Sequence, residues 1–316
     1  MRKLRIGLDA MGGDFAPGNE VSGALEALER SGGGFEVYLF GDEKAITGAC
    51  DRMGCSPGNF VIVHCPDRIT FADHPAMSVT RKTQSSLVRG FDMLASGEID
   101  AFAGTGNTGA MMTACCTRLS LVHGVHRPCI SVELPGLSGQ RILLLDVGFN
   151  AECRPEQYCH FAWLGSVYAR SVFGVREPRV ALLNIGGESG KGHIIAREAW
   201  RLMSEAQEYR FVGNIEPDTL FTTDRTDVVV TDGFTGNIFL KQAEGFYEVA
   251  SARGIHDPYI DRFNYEEYGG TPVLGVSSTV IIGHGRSTPR AIANMILKAE
   301  NVLNCGLIEN FNIFAR

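Results

Sequence analysis

Asp100-Ala101-Phe102-Ala103-Gly104-Thr105-Gly106-Asn107-Thr108-Gly109-Ala110 is the stretch on which the fold turns. A short apolar run reads as a buried strand, a glycine-rich loop ends it, and residues 110–121 open a helical pattern. The same order recurs along the chain. Residues 4–8 run into Asp9-Ala10-Met11-Gly12-Gly13-Asp14, then a helical pattern over 20–30. Residues 37–40 stop at Gly41-Asp42 before another helix. Residues 180–183 lead through Asn184-Ile185-Gly186-Gly187-Glu188-Ser189-Gly190-Lys191-Gly192 to a helix ending near residue 206. Residues 228–230 lead through Thr231-Asp232-Gly233-Phe234-Thr235-Gly236-Asn237 to one more, and 142–145 and 280–282 read as further buried strands. Strands alternating with helices predict an α/β fold with a largely parallel sheet, which binds ligands at the carboxyl ends of its strands. The glycine-rich loops lie at such ends. The echo between Gly106-Asn107-Thr108-Gly109 and Thr235-Gly236-Asn237 points to a duplicated architecture. With no low-complexity linker in sight, residues 1–316 read as one domain of two intertwined halves.

Composition narrows the classes of function. The chain has 316 residues, 44% hydrophobic and 21% charged, with a net charge of −7. That supports a large core and excludes general nucleic-acid binding, so an acidic partner needs a local basic patch. The nine cysteines form no CxxC pair and no zinc spacing, and read as reduced thiols and core fillers. Residues 1–7 run directly into a strand without the apolar stretch of a signal peptide, and no run is long enough to span a bilayer. The expectation is a soluble intracellular protein.

The loops carry the chemistry. Gly104-Thr105-Gly106-Asn107-Thr108-Gly109 fits GxGxxG between a strand and a helix, where backbone N–H groups meet an anion. It lies far from the first βα turn, so it reads as an anion-binding loop rather than a dinucleotide fingerprint; the bland reading is a tight turn. The loop at 186–192 resembles a P-loop but fails its spacing, since Ile185 and Gly192 stand where glycine and Ser/Thr belong. It still offers Lys191 as a point charge for phosphate, against the alternative of a solvated lysine. Asp9 and Asp14 flank Gly12 and Gly13, where carboxylates either orient a ligand or cap a turn. His284 follows the last strand as an acid or hydrogen-bond donor, with a structural histidine nearly as good a reading. GxSxG and HExxH are absent, which suits a reaction whose nucleophile is a substrate such as phosphate.

Together these segments resemble the PlsX family. The resemblance rests on DAMGGD at 9–14, GNTGA at 106–110, LDVG at 145–148 with Asn150, and GSVY at 165–168. It continues in N-x-G-x-E-x-x-K-G at 184–192, VVTDGFTGN at 229–237, YGG at 268–270 and His284-Gly285, in order from residue 5 to about residue 300. It implies a three-layer α/β/α fold around one mixed, largely parallel sheet, like the isocitrate/isopropylmalate dehydrogenases and phosphotransacetylases. It also implies a cytoplasmic homodimer that moves a fatty acyl group from acyl carrier protein to inorganic phosphate. The acyl phosphate then feeds a membrane glycerol-3-phosphate acyltransferase in phospholipid synthesis. No cofactor, metal or nucleic acid is implied. Many members touch the inner membrane face through a long basic and apolar helical insertion. The stretch 241–268 is short here and carries Tyr259, Asp261, Phe263, Tyr265, Glu266 and Glu267, which speaks against that route.

On this reading Lys191, Asp232, Asn237 and His284 are the expected catalytic groups. Gly106, Asn107, Thr108 and Gly109, with Gly12 and Gly13, are expected to hold phosphate or the oxyanion. Carrier-protein docking is expected at Arg118, His123, His126 and Arg127, or at Arg81, Lys82 and Arg89. Two alternatives stand: an NAD-dependent hydroxyacid dehydrogenase on the same fold, and a non-catalytic scaffold for lipid enzymes.

Overall fold

The apolar runs become strands at the expected places, and the loops after them are shorter than their glycines suggest. The computed structural model describes residues 2–314. In chain order the elements begin β1 (Leu4–Asp9), α1 (Gly18–Ser31), β2 (Phe35–Gly41), α2 (Glu43–Met53), β3 (Val61–His64), α3 (Pro75–Arg81), α4 (Ser86–Ala95), β4 (Ala101–Gly104) and α5 (Thr108–Arg118). They continue with β5 (Cys129–Pro135), β6 (Arg141–Leu145), α6 (Pro155–Val172), β7 (Arg179–Leu183), α7 (Ile194–Glu205), β8 (Arg210–Ile215), β9 (Val228–Val230) and α8 (Gly233–Ala252). The last are α9 (Tyr265–Tyr268), β10 (Thr271–Leu274), β11 (Thr279–Ile282), α10 (Pro289–Asn304) and α11 (Leu307–Phe314). Two compact units share them: one from the chain up to Ser120 with Tyr265–Asn304, the other from Leu121–Asn264 with the chain from Cys305 on.

In the first unit the strands run in the order β3-β2-β1-β4-β11-β10, all parallel except for the β10–β11 pair. Alternate residues of a strand face opposite sides. Ile6, Leu8, Ala101 and Ala103 accordingly pack with α1, α2 and α10. Phe102 points the other way and meets Phe91 of α4, with ring centroids 5.2 Å apart. Apolar residues are needed on both faces, which is why these strands read as continuous hydrophobic runs rather than alternating ones. Gly23 lets α1 press on α10: a Cβ there would lie 2.6 Å from the Pro289 carbonyl oxygen.

The second unit repeats the scheme. Its strands run β5-β6-β9-β7-β8, with only the β5–β6 pair antiparallel. α6 lies close on this sheet because Gly165 has no side chain to strike Val228 and Leu145. The 253–264 segment folds back on its own unit. Phe263 packs edge-on against Phe221 at 5.1 Å and Tyr259 at 5.4 Å, and the Tyr259 hydroxyl donates to the Pro135 carbonyl at 3.1 Å. Those aromatic residues are anchors for the chain, each pair contributing about 0.5–1.5 kcal/mol beyond its area.

Two expected loops are partly helix. Asn107 caps α5 by accepting the Ala110 N–H, so Thr108 and Gly109 form its first turn, and the helix ends at Arg118 rather than 121. Asp232 likewise caps α8, so residues 233–237 belong to that helix. A polar side chain that satisfies an orphan N–H outweighs the low helix propensity of the glycines beside it. The nine cysteines are free thiols, and among the described residues no helix is long and apolar enough to cross a membrane.

Candidate active site

In the first unit the parallel registers Asp9↔Gly104 and Gly104↔Ile282 bring three strand ends level. The loops after β1, β4 and β11 therefore emerge side by side. Gly283 N–H donates to the Gly104 carbonyl and Asp14 N–H to the Gly285 carbonyl, both at 2.8 Å. Gly12 and Gly106 meet backbone to backbone, since a Cβ on Gly12 would lie 2.9 Å from Gly106 Cα. Gly12 and Gly106 are thus there for close approach.

Asn107 is 7% exposed and its amide is fully engaged. Its oxygen accepts the Ala110 N–H at 3.0 Å, and its nitrogen donates to the carbonyls of Thr70 and Asp73 at 3.1 and 3.2 Å. That corrects the expectation of a ligand-directed side chain: what this loop offers an anion is the exposed first turn of α5, with its positive dipole end. His284 packs edge-on against Tyr265 at 5.3 Å, and the Arg286 guanidinium lies 4.9 Å over the same ring.

Beneath these loops lies a group the sequence reading passed over. Glu20, 1% exposed, accepts a hydrogen bond from the Thr105 hydroxyl at 3.0 Å, and its other oxygen has no partner. A carboxylate in a helix's first turn normally gains about 0.3–1 kcal/mol from the dipole. Here burial outweighs that gain and pushes the Glu20 carboxyl up to about 7. Asp9, at the end of β1 and also buried, is pushed up by the same cause.

Two of the basic residues expected to dock a carrier protein are already engaged in this unit. Lys82 reaches Asp73 at 2.8 Å and the Arg68 carbonyl at 2.9 Å, a bond that holds the Asp73 carboxyl down at about 2. Arg118 pairs with Asp92 at 2.8 Å. Arg118 and the residues at 123–127 fall in different units, so the run 118–127 is not one patch on one body.

In the second unit β6, β9 and β7 are parallel neighbours, and their loops start α6, α8 and α7. The loop after β6 is wound around Asp146, which is 0% exposed. Its carboxylate accepts from the N–H groups of Ile130, Gly148, Phe149 and Asn150 and from the Asn150 side chain, at 2.6–3.3 Å. Burial raises the Asp146 carboxyl against the pull of these donors. Gly236 of α8 presses on the Asp146 carbonyl, and Gly148, at φ 135°, places its Cα side against Asn237. Asn237 is thereby held beside the β6 loop.

These loops frame a cavity of about 1530 Å³, walled by residues 149–154, 156–158, 193–195, 232 and 234–235 together with His126 and Arg127. The N-termini of α6, α7 and α8 all border it, with two guanidiniums, Arg127 and Arg154, in its walls. Asp232 lines it but is tethered: it accepts from Thr235 N–H and hydroxyl at 2.8 and 2.9 Å and from the Tyr158 hydroxyl at 3.3 Å. Lys191 and Asn237 are not among the wall residues. Lys191 crosses Gly186 and lies 3.8 Å from Glu188, two residues before His193, the cap of α7. His126 meets His160 edge-on at 4.7 Å. Arg154, Tyr158 and His193 were missed because each sits at a helix start with no glycine motif around it.

The chain matches the family described as "Fatty acid synthesis protein" over residues 4–252. It is 36% identical over 332 residues to a phosphate acyltransferase of Dictyoglomus turgidum, covering 98% of each chain. It is 39% identical over 324 residues to one of Desulforudis audaxviator, covering 96% of this chain and 94% of that one. Among solved structures, a phosphotransacetylase from Streptococcus pyogenes shares the fold at a TM-score of 0.65 and 14% identity, over 97% of this chain and 94% of that one. A 4-hydroxythreonine-4-phosphate dehydrogenase from Salmonella typhimurium does so at 0.59 and 16%, over 96% and 100%. The fold is thus common to acyl transfer and hydride chemistry, and the full-length matches separate them: the chain belongs to the PlsX family of phosphate acyltransferases.

Proposed function

We propose that this enzyme takes its acyl group from acyl carrier protein and releases acyl phosphate. The observation that carries the reading is the cavity of the second unit, where three helix N-termini and two guanidiniums border one space. Such ends favour anions through free N–H groups and aligned dipoles. The cavity also has Phe149, Phe234, Ile194 and Ile195 in its walls, a surface suited to an acyl or thioester arm.

In the proposed step a phosphate oxygen attacks the thioester carbonyl carbon. A C–O bond forms, the C–S bond breaks, and the departing thiolate takes a proton. Each group is assigned by its own chemistry. In the second unit Lys191 is the group for phosphate and Asn237 the donor to the oxyanion. In the first unit the N–H groups of residues 106–109 suit an anion, with Gly12 and Gly13 allowing the close loop packing, and His284 suits proton donation. Asp232, tethered as it is, orients the Tyr158 hydroxyl. His126 and Arg127 are the favoured docking residues for the acidic carrier protein because they line the cavity. Exposed Phe234, Ile238, Phe246 and Val249 form one face of α8, which supports a homodimer seam. A membrane glycerol-3-phosphate acyltransferase is the proposed consumer of the product.

The test incubates purified protein with palmitoyl-acyl carrier protein and phosphate, measures free carrier thiol, and traps acyl phosphate with hydroxylamine. Phosphate-dependent thiol release with trapped product supports the reading. Intact carrier protein and no release rejects it.

A further inference from the structure

Glu20 is an acid in an unusual place. It stands in the first turn of α1, where glutamates commonly face water, yet it is 1% exposed. It joins segments distant in sequence. Its Oε1 accepts from Thr105 Oγ1, eighty-five residues away, at 3.0 Å. Gly13 packs so closely that a Cβ there would strike the same oxygen and would lie 2.8 Å from Thr105 Oγ1. The adjacent Asn19 amide donates to the Ser287 carbonyl at 3.0 Å. Residues 19 and 20 thus tie the β1, β4 and β11 loops together.

We propose that Glu20 is the positioning residue of the 104–109 loop, and that its carboxyl keeps the loop in register while it carries a proton. The assignment of a binding role to that loop rests on the proposed function. Ionisation leaves a negative charge with one oxygen unpartnered and sealed from water, beside the buried carboxyl of Asp9. A buried charge without partners is costly, and the structure relieves it by admitting water. The seam available is the close contact of Gly12 with Gly106, one residue from Thr105. Opening it displaces the first turn of α5 and weakens whatever anion that turn holds.

The groups facing Glu20 do not supply a counter-charge. From β1 comes Asp9, another carboxyl that raises it. The β1–α1 loop offers the Gly13 N–H and the β4–α5 loop the Thr105 hydroxyl, neutral donors that together with the N–H of Glu20 draw the carboxyl down by less than burial raises it. The β11–α10 loop brings the Gly285 carbonyl to Gly13, while Arg286 lies over Tyr265. α10 meets α1 at Gly23 through Ile292 and the Pro289 carbonyl. Burial sets the direction, and it places the transition of Glu20 at about 7.

The test compares the full-length protein with Glu20→Gln, which keeps shape and a carbonyl acceptor and removes the titration. Amide hydrogen exchange of residues 104–109 is read between pH 6 and 8.5 against the 184–192 loop, which cancels intrinsic base catalysis. In the unaltered chain the ratio rises about tenfold, as one proton lost over that range allows. In the variant it stays flat. Phosphate KM follows the same pattern, rising in the unaltered chain beyond the change that phosphate's own ionisation imposes on both proteins, with kcat less affected. Equal exchange profiles in the two proteins overturn the proposal, as does a flat ratio in the unaltered chain, a reading that needs no folded variant. A protein without phosphate-dependent turnover overturns the proposed function instead, and the exchange ratio still decides the role of Glu20.

Discussion

Asp146 and Glu20 are both carboxyls sealed from water beneath a set of strand-end loops, at 0% and 1% exposure, one in each unit. Their surroundings differ in donors. Asp146 gathers four backbone N–H groups and an amide, so its loop is wound about it as a clasp. Glu20 has the Thr105 hydroxyl on one oxygen, with its own N–H and that of Gly13 also drawing the carboxyl down, and no partner on the other oxygen. Burial raises both; at Asp146 five donors pull against it, whereas at Glu20 fewer do and burial pushes the carboxyl up to about 7. Depth alone does not tell a structural carboxyl from a responsive one; the number of N–H and O–H groups aimed at it does.

Asp146→Ala gives the largest effect expected. It leaves the Ile130, Gly148, Phe149 and Asn150 N–H groups without their acceptor. Leaving a buried N–H group unpaired costs about 1–3 kcal/mol each. Calorimetry then records a fall in Tm on the order of 10 °C. A shift of only a degree or two removes the clasp from the comparison.

Lys191→Ala comes next and separates chemistry from fold. Its ammonium makes one long, exposed ion pair with Glu188, worth little to stability. The expected outcome is an unchanged Tm with turnover lower by about 10²–10³, the scale of losing one group that holds developing or transferring charge. Near-normal turnover takes Lys191 out of the proposed mechanism.

Glu20→Gln is third, and its sign depends on pH. The folded value of about 7 lies above the ordinary glutamate value of 4.5, so the folded chain binds the proton more tightly. Between those values stability falls as pH rises, by about 3 kcal/mol in total at 1.36 kcal/mol per unit. The variant lacks that slope. Urea unfolding at pH 4 and pH 8 therefore shows the variant gaining about 3 kcal/mol relative to the unaltered chain at the higher pH. Parallel curves would falsify the contrast with Asp146.

How far the sequence told these two regions apart follows from what is local. The strand-loop-helix order at 100–110 and 228–237 is local, and it placed β4 and β9 correctly. The helix starts were misjudged because Asn107 and Asp232 were read for ligands and spend their oxygens on caps. Asp146 was visible as part of a motif, and four of its five bonds come from residues 148–150 close by, but the fifth comes from Ile130, which no spacing announces. Glu20 carried no signal, because the hydroxyl it accepts from belongs to Thr105, in the loop after a distant strand. Arg154 was as hidden, and Arg127 was read only for docking: the cavity they line is assembled from several distant segments.

The smallest effect separates the two expected docking clusters. Arg127 lines the cavity, whereas Lys82 is bound to Asp73 and the Arg68 carbonyl. Arg127→Gln and Lys82→Gln remove the same charge, so both weaken the long-range attraction of an acidic carrier protein and slow association at low salt. Steering of that kind is lost beyond a Debye length, about 8 Å at physiological ionic strength. A residue in direct contact acts mainly on dissociation, which salt screens less. Binding kinetics at 0.02 M and 0.3 M salt, both chosen values on the order of one Debye regime each, thus separate the roles. Arg127→Gln speeds dissociation about threefold to tenfold at both, while Lys82→Gln slows association at low salt and matches the unaltered chain at high salt. The reverse pattern moves docking to the first unit, where the carrier protein must first break the Lys82–Asp73 bond to be held there.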